Sequence, residues 1–272
     1  MKAKIQTSIL LIIVSCTTVT FSGRLNAQAT DYANALNSYS FDLYHAVKNE
    51  KENFLLSPLS TYYTLLMAYE GAENKTKQAF EKVLYIKEAD LAKNPILPSL
   101  AENQDNYTIS NAIWLDKGFE VKEKYRNAVN QRYLSDFLQT DFKNKASAVS
   151  DINGWVSEKT NRKIDEIIDE SDIGPDTRFL MSNALYFKGE WLHEFDRQKT
   201  ASDNFFTSSQ EQYREVFMQM TENFLYYENH LFQFISKPYK DSHLSFCVIL
   251  PKELFGLDEI EKQSMPTHYN RL

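Results

Sequence analysis

Cysteine is nearly absent from this chain. Only Cys16 and Cys247 occur in 272 residues, which excludes a disulfide framework and leaves stability to the core. Cys247 lies in the apolar run "LSFCVIL" and reads as a small buried thiol. Glycine and proline are also scarce, at 7 each, which excludes collagen-like and low-complexity chains. No glycine-rich loop is placed to cradle a phosphate.

Positive charge is short as well. The formal net charge is −7, and no basic run is interleaved with aromatics, so nucleic acid is not the expected partner. The signatures of catalysis are missing. There is no Gly-x-Ser-x-Gly elbow and no His-Glu-x-x-His pair. The five histidines, at 45, 193, 230, 243 and 268, have no ligand spacing. Ser57 has no local histidine to activate it. The chain therefore reads as no enzyme, with no metal and no cofactor. The acidic stretch "IDEIIDESD", residues 164–172, reads as a solvated helix end rather than a cation site. No internal repeat and no linker that would split the chain stands out.

What is present is apolar and aromatic. Hydrophobic residues make up 43% of the chain and aromatics 14%, with 18 Phe and 16 Tyr. That suffices for one large domain or two small ones. The N-terminus reads as an export signal, with Lys2 and Lys4 ahead of the apolar Ile5–Val14, a run too short to span a membrane. Two cleavage readings stand side by side. "NAQA", residues 26–29, ends in an Ala-x-Ala pattern and makes 1–29 a signal peptide. "IVSC", residues 13–16, resembles the bacterial lipobox; it makes 1–15 a lipoprotein signal and Cys16 a lipidated, membrane-anchored N-terminus. The product is then extracellular or periplasmic, or a surface lipoprotein.

Periodicity predicts helices over 30–50, from Ser57 to Gly71, from Thr76, over "VKEKYRNAVNQRYLSDF" and over 146–164. Ser57 is placed as an N-cap, with Pro58 at the first helical position. Pro95 and Pro98 mark 88–104 as broken helix or loop. Strands are expected at 107–115, at "FLQTDF" and at 177–191, the last interrupted by Asn183. From residue 205 onward short strands follow one another: "YREVFMQM", "NFLYYEN", "LFQFISKPY" and "LSFCVILP". Helices early and antiparallel strands late predict an α+β fold.

Four segments, in order, resemble the serpins. The first is Asn53, Leu56, Ser57, Pro58, Ser60, Gly71, Ala72 and Thr76; the second is Asn153, Trp155, Val156, Thr160 and Ile164. The third is Asn183, Ala184, Tyr186, Phe187, Lys188, Gly189 and Trp191; the fourth is "LSFCVILPKE". The resemblance implies a serpin domain over 30–272, with N-terminal helices and mixed and antiparallel sheets A, B and C, incomplete at the C-terminus. It implies a shutter cluster of Ser57, Ser60 and Asn183 beneath sheet A, completed in the family by a histidine beyond this chain's share. It makes Trp191 the breach tryptophan, where a loop begins to insert.

By family, the partner is a serine protease or, for some members, a cysteine protease. The protease attacks a reactive-centre loop, which then enters sheet A as a new strand and traps the acylated enzyme. In the family that loop lies near the C-terminus, so no reactive-centre loop is expected in this chain. The expected function is serpin-like but non-inhibitory as it stands; the alternative is an exported remnant or binding module. The sheet edge left open by the missing strand predicts self-association.

Overall fold

Ser57 caps the second helix, as its position predicts. In the computed structural model its hydroxyl accepts from the Ser60 amide at 3.3 Å and pairs with the Ser60 hydroxyl at 2.8 Å. Pro58 follows at the first helical position, where its missing N–H costs nothing. The structure describes residues 27–48, 55–91, 107–206, 211–240 and 244–263. Residues 1–26 of the leader, Cys16 included, lie outside the described residues, as does Asn53; residues 27–29 already belong to a helix.

The chain divides into two compact units with a boundary between Lys188 and Gly189. That boundary falls inside the motif "SNALYFKGEW", where composition does not change. The first unit holds α1 (Ala27–Val47), α2 (Pro58–Glu70), α3 (Asn74–Leu84), α4 (Glu88–Leu91), β1 (Tyr107–Asp116), α5 (Glu123–Tyr133), β2 (Asp136–Thr140), α6 (Lys145–Lys159) and β3 (Phe179–Phe187). Its sheet runs β2-β1-β3, parallel between β1 and β2 and antiparallel between β1 and β3.

Both faces of this sheet are covered, which is why β1 carries apolar residues on both of its faces. Ile109, Ile113 and Leu115 point to one face, into a core shared with Tyr32, Tyr39, Tyr62, Tyr63, Leu66, Met67, Val129 and Tyr133 from α1, α2 and α5. Ala112 and Trp114 point to the other, against Ala148, Ile152, Trp155 and Val156 of α6. Leu66 and Met67 are 0% exposed; truncating either to alanine costs about 2–5 kcal/mol. The Tyr62 hydroxyl donates to the Leu84 carbonyl at 2.8 Å, whereas the buried Tyr32 hydroxyl has no partner among the described residues.

The second unit holds β4 (Asp196–Phe206), β5 (Gln212–Gln219), β6 (Leu225–Glu228), β7 (Phe232–Pro238), β8 (Ser245–Pro251) and α7 (Leu257–Gln263). β4 and β5 form a two-stranded antiparallel sheet, and β6-β7-β8 an antiparallel sheet of three. Cys247 is buried, as expected.

Several local expectations need correction. The helix expected over 146–164 ends at Lys159, because Asn161 and Arg162 both take left-handed backbone and turn the chain back. "IDEIIDESD" is therefore a return segment and not a helix end. Asn153 holds it: its Oδ1 accepts from the Ile167 and Ile168 amides at 3.0 and 3.3 Å, and its Nδ2 donates to the Ile168 carbonyl at 2.9 Å. Asn183 does not interrupt β3; it sits in register opposite Asn111. Strand structure begins before 205, because the polar "DRQKTASDNFF" forms β4, a two-sided exposed strand with no alternation to reveal it.

Candidate functional site

The two amide side chains at the centre of β1 and β3 form the polar heart of the first sheet. Asn183 Nδ2 donates to Asn111 Oδ1 at 2.8 Å, and Asn111 Nδ2 donates to the Tyr133 carbonyl at 2.8 Å. Both asparagines alternate with residues on the face that α2 and α5 cover. Asn111 is 2% exposed. Asn183 Oδ1 is buried and has no hydrogen-bond partner among the described residues. A buried acceptor left unpaired is uncommon and marks a place that another donor would fill.

Of the expected shutter residues, Ser57 and Ser60 are bonded to each other at the start of α2, while Asn183 is bonded to Asn111. The helix carrying the serines packs against the strand carrying Asn183. Asn111 went unnamed in the sequence reading, yet a signal for it exists. Ser-Asn-Ala occurs twice, at 110–112 and 182–184. The antiparallel register centres on it, with Ser110 opposite Ala184, Asn111 opposite Asn183 and Ala112 opposite Ser182. On the far face, Trp114 Nε1 donates to the Ser182 hydroxyl at 3.0 Å.

β3 uses one edge for β1. Among the described residues no strand lies along its other edge.

In the second unit Trp191 is half-buried and is the hub of an aromatic cluster. Its indole stacks on Tyr239 at 4.7 Å and 11°, and meets Phe195 and Phe246 edge-on at 5.8 and 5.6 Å. The Leu192 amide donates to the Pro238 carbonyl at 3.2 Å and the Lys240 amide to the Glu190 carbonyl at 2.8 Å. These contacts leave Trp191 in packed surroundings and half-buried.

Among the described residues no group of three or more His, Cys, Asp or Glu is placed to hold a metal ion.

Comparison with known proteins accounts for this arrangement. The family model "Serpin (serine protease inhibitor)" matches residues 34–272. The chain belongs to the serpin family. A serpin-like protein of Methanosarcina acetivorans is 34% identical over 249 residues, covering 89% of this chain and 58% of that protein. A serpin-like protein of Thermococcus kodakarensis is 35% identical, covering 83% of this chain and 54% of its own length. Among solved structures, "Cleaved Serpin 42Da" is 26% identical with a TM-score of 0.82, over 88% of this chain and 66% of that one. The chain thus spans little more than half the length of these two curated serpin-like relatives. The helices and three sheets match the serpin fold. Serpins are mostly protease inhibitors rather than catalytic enzymes, and proteases are their usual partners.

Proposed function

We propose that this chain is an exported serpin whose whole protein inhibits a serine or cysteine protease by inserting a cleaved loop beside β3. The observation that carries the reading is that, among the described residues, β3 has no partner along one edge and its buried Asn183 oxygen has no donor. A strand added there would extend a sheet whose faces are already covered, and a donor entering with its neighbours would complete the shutter. The chain itself is proposed to be no enzyme: it acts as spring and frame, with no catalytic groups of its own.

Taken alone, the 272 residues are proposed to be non-inhibitory, a frame or binding module. Trapping needs a scissile loop, a hinge that can enter the sheet and a gap flanked on both sides, and β3 offers one flank. The purified 272-residue chain should be digested by trypsin-, elastase- and subtilisin-like proteases without forming a covalent complex. A band stable to denaturant at the summed mass of chain and protease would overturn this. Export is supported by the basic n-region and short apolar run at 1–29. Mass spectrometry of the mature protein should find a start at Thr30 or a lipidated Cys16; retention of Met1 in the exported protein would refute both.

A further inference from the structure

Lys237 sits where charged side chains are rare. It lies within β7, opposite Phe246 on β8, and is 3% exposed. Its ammonium is 5.0 Å from the ring centre of Trp191, 4.9 Å from that of Phe195 and 6.0 Å from that of Phe224. It also donates to the His193 carbonyl at 2.5 Å. Burial pushes its pKa down, and the carboxylate of Glu222 opposes that shift. A lysine enclosed in this way loses water that only well-placed partners can replace. Here ring faces and a carbonyl replace it.

The origin of those partners is informative. Trp191, His193 and Phe195 all come from one segment, 191–195, which links the two units' strands in sequence. Lys237 therefore contacts that segment at every second residue. A leucine or methionine in β7 would fill the same space with no charge to desolvate, so the ammonium contributes something that packing does not.

We infer that Lys237 is a positioning residue: its caged ammonium fastens segment 191–195 to β7 and so fixes the plane and exposure of Trp191. The inference rests on the reading that Trp191 marks where the loop begins to enter. There, the ease with which 191–195 loosens would set how readily a strand gains entry.

The test reads the local fastening directly, on the 272-residue chain and without a protease. The amides of Leu192 and Lys240 bridge 190–192 to 238–240, so their hydrogen exchange reports whether the segment is docked. Lys237→Met keeps the volume and removes the charge; exchange at both amides should rise about tenfold, with β1 and β3 unchanged. Lys237→Arg keeps a cation over the rings and should restore protection. Fluorinated tryptophans placed at position 191 weaken its attraction for a cation without changing its shape; exchange at Leu192 should climb with each added fluorine. Wild-type exchange in Lys237→Met, or a flat response to fluorination, would overturn the inference. If Lys237→Met fails to fold, the fluorinated series decides alone. Because no inhibition is measured, either result leaves the loop-insertion reading to its own test.

Discussion

Asn111 and Asn183 share one hydrogen bond, but they are not equivalent. Asn111 both accepts from Asn183 and donates to the Tyr133 carbonyl. Its removal strands two groups at once: that carbonyl and the amide nitrogen of Asn183. Removing Asn183 strands Asn111 Oδ1 but also deletes the oxygen that already lacks a donor. Both variants to alanine should destabilise by about 1–3 kcal/mol, with Asn111→Ala the costlier. Denaturant melts of the two would check the order, and the reverse order would mean that Asn183 has a partner other than Asn111. At the start of α2, Ser57→Ala should cost about 1 kcal/mol through the lost cap.

At the scale of elements, β3 carries the main consequence. Its outer edge presents backbone donors and acceptors, and exposed edges template further pairing. Micromolar samples of the 272-residue chain should run as oligomers in size exclusion, and a clean stable monomer would count against an available edge. The elements that could be read from sequence were those with one decisive local cause. Ser57-Pro58 announced α2, and the apolar residues on both faces of 107–115 announced a strand buried on both sides. β4 gave no such signal, because "DRQKTASDNFF" is polar on both sides and is a strand only by pairing with β5. The end of α6 was misplaced because Ile164 keeps helical spacing while Asn161 and Arg162 have already reversed the chain. Ser57 and Asn183 were named through resemblance, whereas Asn111 and Lys237 matter through tertiary neighbours that no spacing reveals.

At the scale of the whole molecule, the buried tyrosines fix the response to alkali. Burial holds Tyr62, Tyr63 and Tyr133 well above the ordinary phenol range, with the charge of Glu70 adding to the effect at Tyr133. Tyr125 is pushed up to about 12. Each is neutral in the fold and free to ionise when unfolded, so the stabilisation is whole below pH ~10 and declines as pH rises beyond it. Stability by denaturant melts should therefore fall steeply above pH ~10; a flat profile to pH ~12 would contradict the burial of these phenols. The clamp at Asn153 has a consequence of another kind, in how the protein ages. Asn153 precedes Gly154, the pairing in which an asparagine amide is most easily lost by attack of the next backbone nitrogen. In the fold that amide is tied by three hydrogen bonds within a helix, and the attack is out of reach. Once the helix opens it is not, and the aspartate that results would set a carboxylate against the Ile168 carbonyl. Time spent out of the fold thus accumulates as a chemical scar at one residue, and the fraction of chains with an intact amide at 153, read by peptide mapping, tracks how long a sample has spent unfolded.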